Sequence, residues 1–208
     1  MVNANAEKKP RRQQILEALA GELETSPGAP ITTAGLARAV GISEAALYRH
    51  FPSKAKMFEA LIEFSEETIF GLITRIQNEE TGALSRCEKT LKLILGFSSR
   101  NPGITRILIG DALVGENQRL RVRVNQFNER IETQIKQFLR EGVMHGELPA
   151  NSQISAIANL IISVAEGRMS QYVRSSFNRN PMEFWDQQWP IMMACIASES
   201  EDLALAVS

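Results

Sequence analysis

The residues best suited to chemistry in this sequence lie between Thr32 and Lys54. In SEAALYRHF, Leu47 and Phe51 stand at i and i+4 and take the buried stripe of a short helix. That leaves Ala45, Ala46, Tyr48, Arg49 and His50 for other faces. Two small residues beside a tyrosine and basic residues suit a helix that lies deep in a DNA major groove, because small side chains let the backbone approach and arginine can bond a base edge. The set expected to face DNA is Thr32, Thr33, Ser43, Ala45, Ala46, Tyr48, Arg49, His50 and Lys54. Within it Thr32, Tyr48, His50 and Lys54 are phosphate candidates, and Ala45, Ala46 and Arg49 are nearest to base edges.

Other chemistry is poorly supplied. The two histidines, His50 and His145, are far apart in sequence, and no HExxH, Cys-x-x-Cys, G-x-S-x-G or phosphate-cradling glycine loop occurs. Cys87 falls at an apolar helix position, as a buried inert thiol does. Cys87 and Cys195 fit a reduced cytosol better than a disulfide framework. Glu66 and Glu67 are adjacent, so they diverge on a helix and read as a solvated face. No catalytic residue, metal site or cofactor is therefore expected.

Several elements must position the DNA-facing set. Thr32 and Thr33 are N-cap candidates for a helix carrying Leu36, Ala37 and Val40. Gly41 sits where a helix-turn-helix needs positive φ, Ser43 can cap the second helix, and Pro52 ends it. A preceding helix from about Pro10 to Glu24 carries Ile15, Leu16, Leu19 and Leu23 on one face. The same stretch taken by periodicity alone is an ordinary helical hairpin; its residue types are what point to DNA.

Beyond the turn, apolar spacings of three and four predict a long helix from about Ser53 to Glu79 that enters both head and body. Its expected buried face includes Phe64, Ile69, Leu72, Ile73 and Ile76. Further helices are expected over about 83–99, 116–141, 152–177 and 181–198, with a turn at Asn101-Pro102-Gly103 leading into a short helix to about Val114, a frayed tail and a loop over 142–149. The class is all-α, with a flexible basic arm over 1–9, a DNA-binding domain over 10–53 and a helical regulatory, partner-binding and dimerisation domain over 54–208.

Charge follows this division. Residues 1–56 carry eight basic and five acidic side chains, and the remainder fifteen and nineteen, so a basic head stands on an acidic body. A composition of 44% hydrophobic and 23% charged residues is that of a globular chain, and no apolar run approaches the roughly 20 residues of a membrane span. The polar start MVNANAEKKPRR lacks the apolar core of a secretory signal. The last two predicted helices carry more apolar residues than one edge of a body needs, and with Gly167 they suit a two-fold four-helix interface between copies.

ITTAGLARAVGISEAALYRHFPSKAKMF, and LYRHFPSK within it, resembles the DNA-binding signature of TetR-type regulators along its whole length. GFSSRNPGITRIL, FNERIE and YVRSSF with the later WP resemble the nucleoid occlusion branch of that family. The resemblance implies a TetR-like fold, a homodimer on palindromic double-stranded DNA, and an FtsZ-binding body that antagonises the division ring over the chromosome. It implies a cytoplasmic, nucleoid-associated protein without a membrane partner, and a small-molecule ligand is not expected. The partner surface it implies is Phe64, Leu93, Gly96, Arg100 and Asn101, of which Phe64 and Leu93 also read as plain core. The competing function is a ligand-gated TetR-type repressor, which requires an apolar cavity of roughly 300–1,000 Å3 in the body.

Overall fold

A computed structural model describes residues 9–26 and 30–206, with the side chains of Cys195 and 197–206 excluded. The expected basic arm lies mostly outside the described residues, as does most of the loop after Ser26. Among the described residues the chain forms nine α-helices and no strand. They are α1 (Arg11–Thr25), α2 (Thr33–Val40), α3 (Glu44–His50), α4 (Lys54–Glu79), α5 (Ala83–Arg100), α6 (Pro102–Leu108), α7 (Gln118–Met144), α8 (Ile154–Arg174) and α9 (Trp185–Ala206).

The head forms as its caps and turns dictate. Thr32 accepts the Gly35 amide, Ser43 accepts Ala46 and Ser53 accepts Lys56, so each of α2, α3 and α4 starts on a side-chain cap. Gly41 ends α2 at φ 69°, and the Ile42 amide reaches back to the Ala37 carbonyl at 2.9 Å, a closure that needs a left-handed residue. Phe51, ahead of Pro52, is extended, so α3 stops at His50. Ile15, Leu19, Leu36, Leu47, Phe51, Met57 and Phe58 are buried as one core, which makes the N-terminal end of α4 part of the head.

The rest of α4 packs on α5 and α7, and α7 and α8 close the body. The seam between head and body runs along α1 and α6. Gly103 sits against α1: a Cβ there would enter the Ala20 carbonyl and lie 3.1 Å from the Leu23 side chain. Arg106, almost wholly buried, donates from its Nη1 to the Leu23 carbonyl at 2.7 Å and from its Nε to Asp111 at 2.5 Å. A buried guanidinium is tolerable only with such partners.

Several boundaries differ from the sequence expectation. Pro102 and Gly103, expected in a turn, form the first residues of α6, where proline suits the opening helical turn. The short helix expected to reach about Val114 ends at Leu108, because Gly110 turns left-handed at φ 80° and only a 3-10 turn, Asp111–Leu113, follows. Gly142, expected to open a loop, lies inside α7; a Cβ there would come 2.9 Å from that of Ala83, so this glycine serves helix packing. Ser152 does not cap α8, Phe177 lies past its end at φ 64°, and α9 starts at Trp185 rather than Pro181. Helical backbone continues through Ala206, where a frayed tail was expected. Phe64 and Leu72 fall outside the buried stripe of α4 and are exposed, while Phe58, Leu61, Ile62, Ile69 and Ile73 fill it.

The Gly103 seam sets an expected outcome. Gly103→Ala should cost about 2–4 kcal/mol, since the neighbour is backbone and cannot turn aside. Circular dichroism melts should record a loss of roughly 5–10 °C in Tm. Gly71→Ala, where a Cβ meets nothing within 4 Å on an exposed turn of α4, should hold or raise Tm.

Candidate nucleic-acid interface

The candidate site is the outer surface of α3 with the start of α2 and the corner before α4. Leu47 and Phe51 anchor α3 inward. Ala45, Tyr48, Arg49 and His50 are exposed, and Ala46 is half-buried. The surface therefore offers a low patch at Ala45 flanked by longer polar side chains, the relief a groove-entering helix needs. α3 is tied to α2 through side chains: the Thr33 hydroxyl donates to Glu44 at 2.8 Å and accepts from the Tyr48 phenol at 3.3 Å. Thr32 and Ser43 spend an oxygen lone pair on their caps and keep a hydroxyl hydrogen to offer.

Arg11 and Arg12 belong to α1 and act within the head. Arg11 donates to the Val40 carbonyl at 3.1 Å, at the end of α2. Arg12 donates to the His50 carbonyl at 3.4 Å and lies 4.3 Å over the Phe51 ring. Both put a cation at a helix C-terminus, where it meets orphan carbonyls and the negative end of the helix dipole. Lys9 pairs with Glu17. The structure thus shows α1 tied to the ends of α2 and α3.

Lys54 opens α4 at the edge of this surface, and its ammonium lies 2.5 Å from the Glu116 carboxylate, on the segment between the 3-10 turn and α7. Sequence reading chose Lys54 and missed Glu116, Arg106 and Gly103. The only signal for Arg106 and Gly103 was a charge and a glycine within the apolar PGITRIL run. Glu116 had none, because its partner is 62 residues away.

The second set lies on the body, on the neighbouring faces of α4 and α5. Phe64 is 47% exposed and its ring tilts against Phe97 at 6.3 Å. Leu93 and Gly96 are half-buried, so neither is plain core. The Arg100 side chain is exposed, and its guanidinium passes 3.7 Å from where a Gly96 Cβ would stand, so the glycine leaves room for it. Asn101 spends its amide on the Phe97 carbonyl at 2.8 Å, closing the end of α5. The structure thus gathers Phe64, Gly96 and Arg100 around Phe97 and places Asn101 as a cap beside them.

Elsewhere, Cys87 is buried, and burial first, with the charge of Glu147 second, pushes its thiol up to about 12. It is no thiolate at neutral pH. Among the described residues no group of three or more His, Cys, Asp or Glu could hold a metal, and no helix is long and apolar enough to cross a membrane. A half-open cavity of about 600 Å3 lies between α5, α6, α7 and α8, with Leu91, Phe127 and Met169 on its apolar wall and Arg121, Asn128 and Glu166 among its polar groups. Burial, then the charge of Glu132, raises the Glu166 carboxyl above its ordinary range.

Comparison with known proteins finds matches in the head and in the body. Residues 15–61 match the family described as bacterial regulatory proteins, tetR family, and residues 81–197 match the tetracyclin repressor-like, C-terminal domain of the SlmA-like type. The chain is 58% identical over 179 residues to the nucleoid occlusion factor SlmA of Alteromonas mediterranea, covering 86% of this chain and 92% of that one. It is 54% identical over 185 residues to SlmA of Marinomonas sp., covering 89% and 94%. Its fold resembles the fatty acid degradation regulator FadR of Bacillus halodurans, with a TM-score of 0.75 at 13% identity over 89% of this chain and 96% of that one. It also resembles the MbdR regulator of Azoarcus sp. CIB, with a TM-score of 0.76 at 16% identity over 88% and 97%.

The relief of α3 gives a direct test. Ala45→Trp should weaken binding to duplex DNA at least about tenfold by holding the helix out of the groove, while Tm stays within about 2 °C because Ala45 is exposed. Fluorescence anisotropy and a thermal melt check the two halves.

Proposed function

We propose, for a chain that belongs to the TetR family and within it to the SlmA nucleoid occlusion factors, that it binds palindromic chromosomal sites as a homodimer and, from that position, binds FtsZ and antagonises division-ring assembly over the nucleoid. Being a nucleoid occlusion factor and a TetR-type DNA-binding protein follows from the family. The partner, the dimer and the residue assignments are our reading.

The observation that carries the reading is that identity to SlmA relatives extends through the body. The regulators FadR and MbdR, of the same fold, share only 13% and 16% of residues with this chain. The exposed Phe64, the half-buried Leu93 and Gly96, and Arg100 supply an apolar seam with one cation, and Asn101 fixes its corner. That combination suits a partner segment with an apolar anchor and an acidic group.

For DNA, Thr32, Tyr48, His50 and Lys54 are assigned to backbone contacts and Ala45, Ala46 and Arg49 to base edges, with Thr33 and Ser43 beside them on the same surface. Two such heads need a two-fold that sets α3 and its mate one helical turn apart, about 34–36 Å. The outer faces of α8 and α9 offer one. Leu160 and Ile191 are 49% and 63% exposed, and Gly167 has open space around it within the protomer. The domain division expected near residue 53, crossed by α4 whose first turns pack in the head, and a nucleoid-associated location in the cytoplasm belong to the same reading.

The cavity of about 600 Å3 favours a second reading, a ligand-gated repressor, because its volume and mixed lining suit a small molecule.

Two outcomes test the account. Gly167→Leu should fold, because the protomer leaves space for it, yet should sediment as a monomer at micromolar concentration if α8 meets its mate there; an intact dimer contradicts the interface. Immobilised protein should retain purified FtsZ, more strongly with its palindrome bound. Arg100→Ala should cut that retention while DNA affinity holds within about twofold. No retention in either condition moves the account to the ligand-gated reading.

A further inference from the structure

Lys54 is the one residue of the DNA-facing set that, among the described residues, forms an ion pair with the body. Its side chain and that of Glu116 are 25% and 20% exposed, so the pair is better shielded than the helix-surface pair Arg75–Glu79, at 70% and 57%. The Glu116 backbone is fixed for the reach. Gly115 turns at φ 79°, the Glu116 amide donates to the Leu113 carbonyl at 3.2 Å, and Asn117 caps α7 by accepting the Arg119 amide. The Lys54 ammonium also lies 5.8 Å from the Phe58 ring, which belongs to the head core.

An ammonium is a compact charge with three donors and no acceptor. A DNA phosphate arriving at Lys54 meets a carboxylate already seated, and two anions sharing one cation repel at that range. We propose that Glu116 is an internal competitor for the DNA backbone: its carboxylate holds Lys54 in the unbound protein, and a phosphate binds there by displacing it. The proposal rests on the reading of Lys54 as a phosphate contact and adds what that contact must overcome.

Displacement has a consequence in the body. Glu116 stands on the connection between α6 and α7, and α6 starts at the Arg100–Asn101 corner. Losing its cation frees the turn over 109–117, so occupancy of the phosphate site reaches the far end of the helix that begins at the partner surface. By reciprocity, anything that steadies this turn with Glu116 on Lys54 lowers DNA affinity.

The test uses the full chain and a random-sequence duplex of roughly three helical turns, titrated from about 50 to 200 mM salt. Wild type, Glu116→Gln, Lys54→Ala and the double variant form a cycle, and Glu116→Asp is a fifth protein that keeps the charge but shortens the reach. Lys54→Ala should flatten the salt slope by about one. Glu116→Gln should tighten binding roughly threefold to tenfold, the range of a partly shielded ion pair, and less than about twofold where Lys54 is alanine. Glu116→Asp should fall between wild type and Glu116→Gln, and it carries the test if Glu116→Gln no longer melts cooperatively.

If Lys54→Ala leaves the slope unchanged, the phosphate reading of Lys54 fails and the proposal falls with it. If the slope flattens but Glu116→Gln leaves affinity unchanged, the competition alone is overturned. Equal tightening in both Lys54 backgrounds, or wild-type affinity for Glu116→Asp beside a tighter Glu116→Gln, makes the effect one of net charge and overturns it too.

Discussion

The close approach of α6 to α1 is the constraint on which the other arrangements depend. Gly103 lets α6 lie against the Ala20 carbonyl, and only this proximity lets the Arg106 guanidinium reach the Leu23 carbonyl at the end of α1. α1 in turn holds α2 and α3, with Arg11 on the end of α2 and Arg12 on the end of α3. A short helix such as α3 has little stability of its own and keeps its place through such tertiary ties. The placement of α3, and of the surface proposed to meet DNA, therefore depends on the helix that also forms the seam with α6. α4 gives a second tie, because its first turns belong to the head core and its later turns to the body.

Much of this was legible in the sequence, and what was legible was local. Caps at Thr32, Ser43 and Ser53, the left-handed Gly41 and the stop at Pro52 act within a few residues, so their types announce them. Gly142 and Gly103 were not legible, because a glycine that opens a turn and one that admits a neighbouring helix look alike until the neighbour is known. Phe64 and Leu72 carried the right period for a buried stripe, but the stripe on a helix of this length drifts as its neighbours change from α1 to α5 and α7. The Lys54–Glu116 pair spans too much chain for any spacing rule. In the candidate sites, the exposed alanine and basic residues stood where expected. The tether of Tyr48 to Thr33 and the cap made by Asn101 needed coordinates.

The two proposed surfaces would use different physics. On α3, charge and hydroxyls surround a low apolar patch, and affinity drawn from such groups for DNA falls with salt. Between α4 and α5, the exposed Phe64, backed by the buried Phe97, and Arg100 offer apolar area and one charge. Fold resemblance alone joins the chain to regulators of quite different chemistry. The identity with SlmA relatives, running through the body as well as the head, is what separates it from them.

The central claim is that head and body act as one mechanical unit through the α1–α6 seam, so that the state of the DNA surface reaches α6 and the turn after it. Hydrogen exchange on the unmodified protein, free and saturated with duplex DNA, tests this most directly. The account predicts altered exchange over 102–117, which carries none of the residues assigned to DNA, alongside protection over 32–56. Changes confined to 32–56, with 102–117 exchanging as in the free protein, would contradict it.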